Sequence, residues 1–115
     1  MHTLRIHVAL AAVLCLTACN STPYEHHRDE QGLVGFTGPV ELELPYATGS
    51  VTLDYEIRAS KGSWQVELIQ PSGEVLRAAE SGAAKGKLVG PTGHGRWIGR
   101  IHFNGFSGGY RATLK

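Results

Sequence analysis

The densest group of ligating side chains lies between Glu25 and Glu30, where His26 and His27 stand among Glu25, Asp29 and Glu30. Imidazole and carboxylate together suit zinc or copper. Adjacent histidines do not readily share one ion, and nothing nearby supplies the outer hydrogen bonds that orient metal ligands. His26 and His27 are therefore the metal candidates, but the expectation is a hydrated spacer with no metal and no other cofactor. His94 and His102 are the other imidazoles with a chemical use. Either would make a general base if the fold set it beside Asp54 or Glu56. Ser50, Ser60, Ser63, Ser72, Ser81 and Ser107 lie in turns or at strand ends, and none has the spacing of a nucleophile elbow. The Gly90-Pro-Thr-Gly-His-Gly95 loop offers backbone N–H groups beside Arg96, as an anion nest would. No helix follows it and no phosphate-loop lysine accompanies it, so it is expected to be a connector. No catalytic residue is assigned.

The remaining reactive group is the Cys19 thiol. A short start carrying Arg5 leads into an apolar run, Val8 to Leu16, that closes on Leu16-Thr17-Ala18-Cys19. A basic start, a short apolar core and a small-residue exit make a secretory signal. Spanning a bilayer takes about 20 apolar residues, roughly twice this run. The four closing residues resemble the bacterial lipobox. That resemblance implies cleavage before Cys19, diacylglycerol on its sulfur and an acylated new amino terminus. Two or three acyl chains hold a protein to a membrane without a polybasic patch, whereas one does so only marginally. Asn20, rather than aspartate, follows the cysteine. By the same resemblance this favours the periplasmic face of an outer membrane where the host has one. Cys15 lies within the signal, so residues 19–115 contain one cysteine and no internal disulfide is expected.

Loss of Arg5 leaves ten basic and ten acidic side chains, without the positive excess a nucleic-acid protein carries. The signs are separated along the chain. Every acid lies at or before Glu80, and Lys85, Lys87, Arg96, Arg100, Arg111 and Lys115 follow it. Such asymmetry either marks an interaction surface or reflects acidic early strands pairing with basic late ones. On the first reading Arg96, Arg100, Arg111 and Lys115 are the candidate ligand contacts.

The elements that must carry these groups are strands. Residues 20–31 are polar, with Tyr24 the one large apolar side chain, and cannot bury enough surface to offset their ordering entropy. They are expected to form a flexible tether. Beyond Gly32 apolar and polar residues alternate: 40–44, an unbroken nine residues over 51–59, 64–70, 96–104 and 110–115. Period two over such lengths means strands with one buried face. Trp64, Trp97, Tyr55, Phe103 and Tyr110 fall on the inward phase. Gln70-Pro-Ser-Gly73 reads as a tight turn. Residues 74–77 and 87–89 read as short strands, 82–86 as a link, and Asn104 to Gly109 as hairpin chemistry with Phe106 exposed at its tip, where it joins the candidate ligand contacts as an aromatic for a partner or membrane. About seven short strands without a helix predict an all-β fold, a small antiparallel β-sandwich or a small barrel, of which the sandwich is expected. The domains expected are a signal peptide over 1–18, a lipidated Cys19 with tether over 19–31, and the sandwich over 32–115.

Trp64 to Val75, a strand ending in Gln-Pro-Ser-Gly, and the closing Gly109-Tyr110-Arg111-Ala112-Thr113-Leu114 are similar to secreted jelly-roll modules such as pre-peptidase C-terminal domains. The resemblance implies a jelly-roll-like sandwich. Gln65 and Glu67 stand where that family has Asp-x-Asp character, so it does not extend to the family's calcium binding. The function expected is a membrane-anchored envelope lipoprotein acting as a non-catalytic binding or structural module. Its partners would be the membrane, through the lipid, and an envelope glycan or protein. The alternative is a small histidine-dependent hydrolase or a metal-binding protein.

Overall fold

A computed structural model describes residues 25–80 and 83–115. The expected signal peptide, Cys19 and the first part of the expected tether lie outside the described residues. Five antiparallel strands make the fold: β1 (His26–Gly49), β2 (Thr52–Ile69), β3 (Val75–Glu80), β4 (Ala83–Val89) and β5 (Gly93–Leu114). The hydrogen-bonded order is β1-β5-β2-β3, with β4 also on β2.

Three of these strands are long because each turns a corner and continues in a second sheet. In sheet I, residues 26–30 of β1 pair with the end of β5, which pairs with 53–58 of β2, which pairs with β4. In sheet II, residues 38–49 of β1 pair with the start of β5, which pairs with 63–69 of β2, which pairs with β3. The chain is thus an all-β, jelly-roll-like antiparallel sandwich. The seven expected runs sit on five strands because β2 and β5 each carry two.

The corners explain the glycines. Gly32, Gly35, Gly38, Gly62, Gly105 and Gly108 all have positive φ, which a side chain resists. At Gly62 and Gly108 the reason is also close approach. A Cβ on Gly62 would lie 2.3 Å from the Gly105 carbonyl oxygen, and one on Gly108 1.9 Å from that of Arg58. Hydroxyls join the three corners. Gly35 N–H donates to Ser107 Oγ, Gly105 N–H to Thr37 Oγ1, and Ser60 Oγ to the Ser107 carbonyl. Asn104 to Gly109 is therefore a bend within β5 and not a hairpin. Phe106, expected at an exposed tip, is fully buried, with its ring 4.4 Å from that of Phe103.

One core lies between the sheets. Leu42, Leu44, Trp64, Val66, Leu68, Trp97, Ile101 and Phe103 come from sheet II, and Leu53, Ile57, Tyr110, Ala112 and Leu114 from sheet I. Gly99 lets the layers meet, since a Cβ there would stand 3.0 Å from Leu53 Cδ1. Residues 83–86, expected as a link, belong to β4. Gly86 is needed there because the Tyr55 hydroxyl lies only 2.9 Å from where its Cβ would be.

Strand pairing begins at His26, within the expected tether. The polar residues of 26–30 do useful packing at the β1 side of the sandwich. Glu43 N–H donates to His26 Nδ1 at 2.8 Å, Arg28 donates to the Glu41 carbonyl, and the Tyr110 hydroxyl donates to Glu30. Side chains of one half of β1 thereby satisfy edge backbone groups of the other half.

Candidate functional site

The outer faces of the two sheets are built from cross-strand charge rows. On sheet I, Asp29, Arg111, Glu56 and Lys85 stand side by side on β1, β5, β2 and β4. On sheet II the row is Glu41, Arg100, Glu67 and Arg77. The charge separation along the chain is thus the pairing of acidic early strands with basic late ones.

Each expected basic contact is engaged in such a pair. Arg96 Nε lies 2.5 Å from Glu43, Arg100 Nε 2.6 Å from Glu41, Arg111 Nε 3.4 Å from Asp29 and Lys115 Nζ 3.3 Å from Asp54. The hydrogen bond and charge of Glu43 hold Arg96 above its ordinary pKa. Hydrogen bonding to Gln31, then the charge of Arg111, holds Asp29 below the usual carboxylate range. Arg96 and Arg100 face outward from sheet II and Arg111 from sheet I, so the structure does not gather the four into one surface.

Glu67 is the buried member of these rows, and it faces His102. Its Oε1 lies 3.1 Å from His102 Nε2, and its Oε2 accepts from Arg77 at 3.0 Å. Burial pushes this carboxyl up, but the hydrogen bonds and charges of His102 and Arg77 outweigh it and hold Glu67 low. The partner of His102 is thus Glu67 and not Asp54 or Glu56. The pair lies on an outer sheet face, with both Glu67 oxygens already occupied. His94 is exposed, opposite Thr48. His26 and His27 point to opposite sides of β1, and the Nδ1 of His27 is 2.8 Å from Thr113 Oγ1. Among the described residues no group of three or more His, Cys, Asp or Glu side chains is placed to hold a metal.

The strand ends opposite the corners form a loop end. There the link between β1 and β2, the β2–β3 turn and the β4–β5 loop come together. Gly90 N–H donates to the Val51 carbonyl and Ser50 Oγ to the Gly90 carbonyl. The turn is fixed by Gly73 N–H on the Gln70 carbonyl and Gln70 N–H on the Glu74 carbonyl. Pro71 packs on Gly95, 3.0 Å from where a Cβ would stand.

Between the β2–β3 turn and the β4–β5 loop lies a cleft of about 300 Å³. Gln70, Ser72, Glu74, Thr92 and His94 line it with hydrogen-bonding groups, Pro71 and Pro91 with ring faces, and Trp97 beneath. Gly90 is required there, since a Cβ would lie 2.4 Å from the Trp97 ring. Among the described residues, the Trp97 indole N–H is the buried side-chain polar group without a hydrogen-bond partner. The set places hydrogen-bonding side chains at the rim and proline rings beside them, with Trp97 buried as the floor. Sequence reasoning assigned Trp97 to the core and the 90–95 loop to a connector. The signal that was present is two Pro-containing polar turns, 70–73 and 90–95, on either side of the short segments 74–77 and 87–89. Nothing local says that they meet.

No family model and no curated protein matches the sequence. Solved structures do resemble the fold. TmCBM61, determined in complex with β-1,4-galactotriose, is 12% identical over 86% of this chain and 76% of that one, with a TM-score of 0.50. The Yersinia pseudotuberculosis-derived mitogen is 13% identical over 81% and 84%, with a TM-score of 0.42. The carbohydrate-binding module CBM6cm-2 from Cellvibrio mixtus lichenase 5A, in complex with cellotriose, is 13% identical over 76% and 83%, again at 0.42. At these identities the likeness is one of fold: this chain shares the jelly-roll-like sandwich of a carbohydrate-binding module.

Proposed function

We propose that the chain is a lipid-anchored, non-catalytic glycan-binding module of the bacterial envelope, held by Cys19 and binding in the loop-end cleft. The observation that carries the reading is the cleft itself: amide, hydroxyl, carboxylate and imidazole side chains on two braced loops over a buried indole. Sugars present paired hydroxyls for such groups and C–H faces for ring surfaces. A fold shared with a module solved on galactotriose supports it. The engaged state of Arg96, Arg100, Arg111 and Lys115 directs the choice toward a neutral or weakly charged glycan and away from a polyanion. The histidine–carboxylate pair of His102 and Glu67 belongs to the ion-pair row of sheet II and not to this cleft.

Titration of the lipidated protein, in detergent micelles, against a panel of purified envelope polysaccharides tests the assignment. Saturable binding that falls at least tenfold in Glu74→Ala and His94→Ala, and is unchanged in Arg111→Gln, is expected. Binding that survives both cleft substitutions removes the cleft, and absence of binding across the panel removes the function. The anchor is tested separately by Cys19→Ser, which is expected to move the protein from the membrane to the soluble fraction.

A further inference from the structure

The outer faces run from acid at the β1 rim to base at the β3 and β4 rim. Each cross-strand charge row opens on a carboxylate of β1 and closes on a cation: Asp29 to Lys85 on sheet I, Glu41 to Arg77 on sheet II. Lys87 closes the neighbouring row of sheet I, opposite Asp54. In these alternating rows the place beyond the last cation is one that an acid would fill.

That place is open. β3 and β4 each pair with β2 on one side, and among the described residues no strand lies on the other. The unpaired side of a strand is a row of N–H and C=O groups able to take another strand. The core side of this rim is also incompletely covered. Leu76 and Ala78 on β3, with Ala84 and Leu88 on β4, pack against the core but remain half-buried.

β4 carries the larger excess of charge. Lys85 and Lys87 are exposed and two residues apart, so they share one face of the strand. Their neighbours on β2 are held by other cations: Glu56 by Arg58 at 2.7 Å and Asp54 by Lys115 at 3.3 Å, leaving Lys87 at 3.9 Å. Among the described residues Lys85 makes no ion pair. Val89, 55% exposed, ends the strand.

A second copy of the chain does not fit this edge. β4 against β4 would set lysine against lysine, which paired strands disfavour. The acidic rim of another copy is occupied at Glu41 and Glu43 by Arg28 and His26. We propose that β4 is a docking edge for an extended acidic segment of a different protein, which adds to sheet I as a further strand. Two carboxylates of that segment, two residues apart, stand against Lys85 and Lys87, and its alternate apolar side chains turn toward Ala84, Gly86 and Leu88. In strand addition the backbone hydrogen bonds supply affinity and the alternate side chains supply selectivity. This edge is separate from the loop-end cleft and does not depend on the glycan-binding reading.

The lipidated chain in detergent micelles is titrated with two fluorescent peptides, Thr-Val-Glu-Leu-Glu-Leu-Thr and Thr-Val-Lys-Leu-Lys-Leu-Thr, while hydrogen exchange is followed. The acidic peptide is expected to bind saturably, about tenfold or more tighter than the basic one, and to protect 84–89. Lys85→Gln combined with Lys87→Gln should remove that preference while the exchange of 40–44 stays as in the parent, which identifies a folded variant. Lys85→Arg combined with Lys87→Arg should retain it. Equal binding of the two peptides by the parent, a preference that survives the glutamine substitutions or is lost in the arginine ones, protection elsewhere, or no binding of either peptide overturns the proposal. Dimers in sedimentation velocity, with 84–89 protected in the absence of peptide, would give the edge to a second copy and overturn it too.

Discussion

Tyr110 and Glu30 face each other across β5 and β1, and the buried phenol donates its hydrogen to the carboxylate. Burial first, then the hydrogen bond and negative charge of Glu30, pushes the Tyr110 pKa up to about 12. The fold therefore favours the neutral phenol. Its contribution to stability is complete below the ordinary value near 10 and is lost as the pH rises from about 10 to 12. Ultraviolet titration should show one tyrosine ionising last. Tyr110→Phe should cost about 1.5 kcal/mol at neutral pH, as loss of a hydrogen bond to a charged group does, and should flatten the alkaline limb of a pH–stability curve.

Glu67 supplies the acid limb. Its carboxyl is held below its ordinary 4.5, so the stability it contributes is present above that pH and is lost as the pH falls below it. Glu67→Gln should reduce stability at neutral pH by about 1–2 kcal/mol, because Arg77 and His102 lose a charged acceptor. The difference from the parent should shrink on acidification, which denaturant titrations across the pH range would reveal. A difference that stays constant with pH would rule out this role.

Gly108 is the most constrained corner residue. Its positive φ and the Arg58 carbonyl together leave no place for a methyl group. Gly108→Ala is expected to cost about 3 kcal/mol or more, and Gly73→Ala, where the space is open, considerably less. Thermal denaturation of the two variants compares them directly.

Trp97 separates packing from polarity. Trp97→Phe removes an indole N–H that has no protein partner, so without ligand the change should cost no more than about 1 kcal/mol. Trp97→Ala should cost about 3–5 kcal/mol through the cavity it leaves. If Trp97→Phe destabilises as much as Trp97→Ala, the N–H is satisfied after all.

Much of this was legible in the sequence. The alternation over 51–59 and 96–104 placed Leu53, Ile57, Trp97 and Phe103 inward, and they are core. Strand pairing was one of the two readings that the uneven charge left open, because acids and bases on neighbouring strands attract whatever their distance along the chain. What failed to show were features without a periodic apolar signal. Residues 26–30 read as tether because their inward side chains are His26, Arg28 and Glu30, whose partners are backbone groups of the distant half of β1 and Tyr110. Asn104 to Gly109 read as a hairpin because corners and hairpins both need positive φ. The distinction lay in the backbones of Gly62 and Arg58 pressing against it. The cleft was hidden for a similar reason, since its two walls are about 20 residues apart and meet only through the fold.

The capped side of β1 has a bearing on how these molecules crowd together. Edge-on-edge growth of sandwiches into fibres needs two receptive rims on every subunit, one to accept and one to extend. Here His26 and Arg28 already occupy the rim at Glu43 and Glu41. The Glu41 carbonyl and the Glu43 N–H are thereby withdrawn from pairing with the edge of another copy.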